Sequence, residues 1–315
     1  MSEHLLEVKG LKKYFKTPKG ILKAVDDVSF TIDAGETLGV VGESGCGKST
    51  TGRSVLRLIE PTEGEVFFNG EDITKFNKHQ MKGLHKDMQI IFQDPFSSLD
   101  PRKTVEQLIA EPMKWNKTYS HKTDEQKRIK ELMETVGLAE RLLNVYPHEL
   151  DGGRRQRIGV ARALALNPKL IICDEPVSAL DVSVQAQILN LLKELQIEYG
   201  IAYMFITHDL SVVNHISHNI AVMYLGKIVE MAPSKELFNN PIHPYTKALL
   251  SAIPIPDVDV VQQRIPMKGE ITSPINTKAD CHFCKRCPYA TEKCSTEIPA
   301  LIDRGNGHYV ACHYF

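Results

Sequence analysis

Short apolar runs separated by turn residues open the chain: LLEV at 5–8, AVDDVSFTI at 24–32 and ETLGVVG at 36–42. Their alternation predicts an antiparallel β layer that feeds a buried strand at 37–41. A glycine-rich loop follows. TTGRSVLRLI (50–59) then takes helical spacing, and PTEGEVFFNGEDI (61–73) reads as a hairpin. From about 95 to 166 the chain becomes helical and charged, as in KTDEQKRIKELMETVGL. β-Branched runs return at LIICD (170–174) and IAYMFITHD (201–209), with the helical stretch VSVQAQILNLLKELQIEYG between them. Strands alternating with helices imply an α/β fold whose mainly parallel sheet is covered by helices. After about residue 240 the pattern changes. A proline-rich connector with one short helix (240–260) leads into a cysteine-rich tail, so the predicted division is 1–240 and a small extension, 241–315.

Length and composition add limits. At 315 residues, and with roughly 150 residues per domain as the usual size, two domains are expected. A chain with 42% hydrophobic residues and 24% charged ones is neither disordered nor fibrous. A formal charge of -1 gives no global attraction to nucleic acid, and none is expected as a partner. No apolar run reaches the roughly 18 residues of a membrane span, and MSEHLLEVKG lacks the pattern of a secretory signal, so a cytoplasmic location is expected.

Chemistry concentrates at three places. Gly42-Glu43-Ser44-Gly45-Cys46-Gly47-Lys48-Ser49-Thr50 fits G-x-x-x-x-G-K-[ST] between a predicted strand and a predicted helix, the context of a P-loop. Its glycines let backbone N–H groups converge on phosphates, and the helix N-terminus adds partial positive charge. Lys48 is expected on the β- and γ-phosphates of ATP and Ser49 on Mg²⁺. LIICDEP puts Asp174 and Glu175 at the C-terminal end of a buried strand, where ligands of such sheets bind. Asp174 would hold Mg²⁺ and Glu175 would act as general base on the attacking water. The third place is the tail, where Cys281, Cys284, Cys287, Cys294 and Cys312 fall in the last 35 residues. In a reducing compartment, clustered thiols read as metal ligands before disulfides.

Further motifs carry a family resemblance. HELDGGRRQRIGVARAL (148–164) resembles the ABC-transporter signature LSGGQ, and it stands a short distance before LIICDE. P-loop, Gln93 in IIFQDP, signature, Asp174-Glu175, SALD (178–181) and His208 in FITHD keep the family's order over the first 240 residues. GESGCGKST, QDPFSSLDPR, EPVSALDVSVQAQ and the tail's HYVACH look like the oligopeptide/dipeptide importer ATPases, second-subunit type. The fold this implies is a P-loop NTPase core with an antiparallel β subdomain and a helical subdomain.

The resemblance also implies roles. Gln93 would touch Mg²⁺ and the attacking water. His208 would meet the γ-phosphate and orient Glu175, and Asp181 would reach across a dimer interface. Tyr14 or Phe15, with Phe15 favoured, would stack on adenine. Asp151, Gly152 and Gly153 would face the nucleotide of an opposite subunit. Asp151 departs from the family's Ser, and a carboxylate there repels phosphate unless Arg154 or Arg155 neutralises it.

Cys281, Cys287, Cys294 and Cys312, with five, six and seventeen residues between them, match a motif that holds a 4Fe–4S cluster in parts of the family. Zinc is the rival, since four thiolates suit either metal. The implied partners are two membrane-spanning permease subunits, a second ATPase subunit in a heterodimer and, indirectly, an extracytoplasmic peptide-binding protein, at the cytoplasmic face of the membrane. The alternatives are an importer of nickel or another small solute, and a DNA-repair or translation ATPase. Repair ATPases carry long coiled coils between P-loop and signature, and the translation type carries two cassettes; this sequence shows neither feature.

Overall fold

The structure, a computed structural model, describes residues 4–253, 264–267, 269, 274–277 and 280–315. Residues 254–260 of the expected proline-rich connector lie outside the described residues. The chain forms two compact units: Met1–Asp33, Thr37–Lys75 and Phe205–Phe315 make one, Ala34–Glu36 and Phe76–Met204 the other.

The first unit contains the antiparallel layer. Strand Leu6–Thr17 pairs with Gly20–Ile32 on one side, from Leu6↔Ile32 to Thr17↔Gly20, and with Glu63–Phe68 on the other. In Gly20–Ile32 the residues Val28, Phe30 and Ile32 are buried while Asp27, Ser29 and Thr31 face out, the period of two that a half-covered sheet demands. The predicted hairpin forms between Glu63–Phe68 and Glu71–Asp72, with Phe68 opposite Glu71. Asn69 (φ 50°) and Gly70 (φ 80°) take the two left-handed positions of its turn.

A second sheet in this unit runs in the order Ile302–Asp303, Tyr309–Val310, Lys227–Pro233, Asn219–Tyr224, Thr37–Val41. Thr37–Val41 is buried along its whole length and lies parallel to Asn219–Tyr224, with Val41 beside Val222. The tail therefore adds strands to this sheet, since Val310 pairs with Glu230 and Tyr309 with Met231. Beneath that edge the buried Glu230 carboxylate accepts from the backbone N–H groups of Ile242 (2.7 Å) and His243 (3.1 Å) and meets His308 Nε2 at 2.7 Å. Burial lowers the His243 imidazole to about 3, so that ring stays neutral and its Nδ1 accepts from the Tyr245 N–H.

The second unit holds the parallel pair Met88–Ile91 and Leu170–Asp174. LIICD is buried throughout, as its unbroken apolar run requires. The charged stretch resolves into helices Val105–Trp115, Lys122–Thr135 and Gly152–Leu164. Thr104 and Gln107 form a capping box on the first. Val182–Tyr199 begins on Asp181, whose carboxylate accepts the Val184 N–H at 3.0 Å, and ends on Gly200 at φ 66°.

Candidate functional site

In the first unit, the loop 42–50 joins strand Thr37–Val41 to helix Lys48–Val55. The helix starts two residues before the sequence pattern suggested, because Lys48 and Ser49 belong to its first turn. Gly47, at φ 109°, is its N-cap and brings no side chain to the first-turn N–H groups. First-turn N–H groups at a helix start favour an anion. A Cβ on Gly47 would come within 2.1 Å of the Ala24 carbonyl oxygen, so the tight approach of strand Gly20–Ile32 is what requires glycine there. Lys48, only 4% exposed, donates from Nζ to the carbonyls of Gly42 (2.8 Å) and Glu43 (3.0 Å), which curls the loop around its ammonium. Ser44 and Gly45 are exposed at the loop's tip, and Ser49 and Thr50 are half-buried. Burial pushes the Cys46 thiol up, so this loop cysteine is an inert packing group.

Two candidate aromatics occupy the antiparallel layer of the same unit. The Tyr14 hydroxyl donates to Asp26 Oδ1 at 2.5 Å. Burial and that bond raise its pKa, so it remains a donor. Lys23 lies 5.6 Å from the Tyr14 ring centroid and Lys13 5.0 Å from that of Phe15. His208 follows strand Ala202–Thr207 directly and is exposed; next to it, Asp209 caps helix Leu210–Ile216 through the Ser211 N–H at 2.8 Å.

The second unit brings Gln93 and Glu175 together. Gln93, two residues beyond strand Met88–Ile91, donates from Nε2 to Glu175 Oε2 at 2.8 Å. Asp174 ends its strand 1% exposed. Glu175 takes φ 48°, left-handed for a residue with a side chain, and its carbonyl accepts the Ser178 hydroxyl at 3.1 Å. A strained backbone of this kind persists where surrounding structure fixes it, and it turns the Glu175 side chain out of the strand's alternation.

The signature residues sit at the start of helix Gly152–Leu164. Asp151 is its N-cap: Oδ1 accepts the Arg154 N–H at 2.7 Å and Oδ2 lies 3.5 Å from Arg154 Nη1. A Cβ on Gly153 would come within 2.7 Å of Val184 Cγ1, and one on Gly152 within 3.3 Å of Leu180, so the glycines let the helix approach the segment that starts at SALD. Arg155 turns inward, donating to the carbonyls of Pro147 (2.9 Å) and Leu150 (2.6 Å). Arg154, and not Arg155, is thus the partner of Asp151.

A serine hydroxyl, a carboxylate and an amide oxygen, the side-chain groups of Ser49, Asp174 and Gln93, are each hard oxygen donors, the chemistry that suits a cation such as Mg²⁺. The cysteine tail fits a metal less well. Among the described residues, no three His, Cys, Asp or Glu side chains are placed to hold a metal ion. Local turns arrange these cysteines instead: the Cys281 N–H donates to the Cys294 carbonyl and the Cys284 N–H to that of Cys281, each at 2.9 Å. Burial pushes the Cys281 thiol up to about 12 and raises those of Cys284 and Cys287. The expected cluster at Cys281, Cys287, Cys294 and Cys312 is therefore not supported by the geometry.

Two residues that sequence reading passed over touch the P-loop. Tyr245 Oη accepts the Glu43 N–H at 2.9 Å, and Arg286 holds the Glu43 carboxylate. Neither motif spacing nor periodicity could have linked positions more than two hundred residues apart.

Comparison with known proteins identifies the family. Residues 25–178 match the ABC transporter family model, and 229–294 match the model of the oligopeptide/dipeptide transporter C-terminal region. The chain is 50% identical to the oligopeptide transport ATP-binding protein AppF of Bacillus subtilis (strain 168), over 99% of this chain and 98% of that one. It is 58% identical to OppF of the same organism, over 85% and 88%. Among solved structures, the post-hydrolysis dimer of the ATP-binding cassette MJ0796 bound to ADP and Pi is 30% identical with a TM-score of 0.67, covering 73% of this chain and 98% of that one. The chain belongs to the ABC-transporter ATP-binding subunits, in their oligopeptide/dipeptide importer branch.

Proposed function

We propose that this ATP-hydrolysing subunit energises peptide import from the cytoplasmic face of the membrane, with its catalytic roles divided as follows. Lys48 and the loop N–H groups bind the β- and γ-phosphates. Ser49, Asp174 and Gln93 would hold Mg²⁺, which supplies neutralising charge on the phosphate oxygens. Glu175 takes the proton of the attacking water, Gln93 fixes the Glu175 carboxylate, and His208 orients the γ-phosphate end. Phe15 or Tyr14 covers the base, and Asp181 acts across the dimer interface. The observation that carries the reading is the Gln93–Glu175 hydrogen bond, which presents one carboxylate oxygen in a fixed direction beside the buried Asp174. Its test is the Glu175→Gln variant argued in the Discussion.

The remaining parts of the reading concern partners. Two permease subunits and an extracytoplasmic peptide-binding protein would complete the importer, and a companion ATPase would complete the nucleotide sandwich. Asp151 supports a companion that differs from this chain. A serine hydroxyl at that position can donate to phosphate, whereas an ionised carboxylate only accepts. One oxygen of Asp151 is already engaged by its own helix and the other is paired with Arg154. This chain then supplies a full catalytic half but a poor signature, leaving one strong and one weak site. With the pair reconstituted, Glu175→Gln should nearly silence ATP hydrolysis, while the equivalent change in the companion should matter much less. Equal losses, or brisk hydrolysis by this chain alone, would show that Asp151 is harmless.

A 4Fe–4S cluster on Cys281, Cys287, Cys294 and Cys312 rests on their spacing alone. Iron and acid-labile sulfide assayed in anaerobically purified protein test it directly. Iron and sulfide lost on Cys287→Ala and kept on Cys284→Ala are the expected outcome for that ligand set; colourless protein with one zinc would favour the rival metal.

A further inference from the structure

Glu43, the second residue of the P-loop, is held at three points. Its carbonyl accepts Lys48 Nζ at 3.0 Å and its N–H donates to Tyr245 Oη at 2.9 Å. Its carboxylate takes two parallel bonds from Arg286, Nη1 to Oε2 at 2.7 Å and Nη2 to Oε1 at 3.0 Å. The pair is largely withdrawn from solvent, with side-chain exposures of 8% for Arg286 and 19% for Glu43. Arg286 is itself fixed from behind. Its guanidinium carbon lies 5.8 Å from the Tyr224 ring centroid, and Phe283 packs on Tyr224 and Tyr245 at 5.2 and 5.4 Å. A rigid aromatic wall made by the tail and the sheet thus supports a planar, bidentate cation.

Position matters more than packing here. A carboxylate on the loop that receives a triphosphate opposes anion binding unless a cation cancels it. Lys48 already donates to the loop's own carbonyls, those of Gly42 and Glu43. Arg286 cancels the Glu43 carboxylate from outside the loop, while the carbonyl of the same residue accepts from Lys48 Nζ. We propose that Arg286 is a positioning residue for nucleotide binding: through its bidentate pair with Glu43, the cysteine-rich tail sets the charge and shape of the P-loop.

The test uses the full chain and a fluorescent ATP analogue with magnesium, titrated to equilibrium, with thermal unfolding measured in parallel. Arg286→Ala leaves a partly buried carboxylate unpaired, and a loss of about tenfold or more in nucleotide affinity is expected. Arg286→Lys keeps the charge but not the fork, and should fall between wild type and the alanine variant. Removing the charge as well, in Glu43→Gln/Arg286→Ala, should recover affinity to within about threefold of wild type, because no uncompensated anion remains. In ATPase assays with the companion subunit, Arg286→Ala should raise KM and change kcat little. A role confined to stapling the tail predicts a lower melting temperature and no rescue. The proposal is overturned if Arg286→Lys and Arg286→Ala bind nucleotide as wild type does, or if the double variant binds no better than Arg286→Ala. Should Arg286→Ala fail to fold, the proposal is overturned if Arg286→Lys binds nucleotide as wild type does or if the double variant falls outside about threefold of wild type.

Discussion

Glu175→Gln is expected to bind ATP normally and to hydrolyse it about 10²–10⁴ times more slowly, the range in which a positioned general base contributes. Glutamine keeps the length and the planar end group of glutamate, so the left-handed backbone at φ 48° and the buried neighbour Asp174 should be undisturbed. What disappears is the ability to take a proton from water. The hydrogen bond from Gln93 can persist to the amide oxygen, which separates loss of basicity from loss of position. Because turnover stops after nucleotide binding, the variant should accumulate an ATP-bound dimer, visible by light scattering at saturating ATP and absent with ADP. Hydrolysis within a few-fold of wild type would remove Glu175 from the role of base. Gln93→Ala offers the complementary case, since the carboxylate stays basic and loses its guide. A smaller fall in kcat than for Glu175→Gln is expected, with nucleotide affinity retained.

How much of this was legible in the sequence depended on the range of the interaction concerned. Strands Thr37–Val41 and Leu170–Asp174 were readable to the residue, because a continuous run of apolar and β-branched residues between turn signals leaves little choice. The hairpin at Asn69-Gly70 was equally plain, since two successive left-handed residues are a local property. The motif residues could be named because each lies at the end of such an element. Three features were hidden. The left-handed turn at Glu175 is imposed by the surrounding fold on a residue with no intrinsic preference for it. The direction of the Asp151 carboxylate was open until the helix start was seen, because either Arg154 or Arg155 could have claimed it. The Arg286–Glu43 pair spans 243 positions, beyond any periodicity, although both residues stand in segments whose chemistry was singled out. In the tail, cysteine spacing identified candidate ligands, but spacing along a chain says little about whether thiols converge in space.

Gly47→Ala should be among the most damaging single-methyl changes in the P-loop. The native φ of 109° lies where an L-residue is strained, a penalty of about 1–3 kcal/mol before any contact is considered. The added Cβ would also stand 2.1 Å from the Ala24 carbonyl oxygen, and a backbone atom of a paired strand cannot rotate away as a side chain would. Either strand Gly20–Ile32 shifts or the loop does, and with the loop go the N–H groups proposed to bind the phosphates. A destabilisation above about 3 kcal/mol, together with loss of measurable ATP binding, is therefore expected. Gly45→Ala is the internal control for strain without collision. Its φ of 77° is also left-handed, yet nothing lies within 4 Å of the new methyl. That change should cost only about 1–2 kcal/mol of stability, the penalty of the backbone conformation alone. Denaturant unfolding of the two variants side by side separates the terms. Similar midpoints would mean that Ala24 yields easily and that backbone strain alone explains both glycines; a much lower midpoint for Gly47→Ala would assign the difference to the close approach of the antiparallel layer.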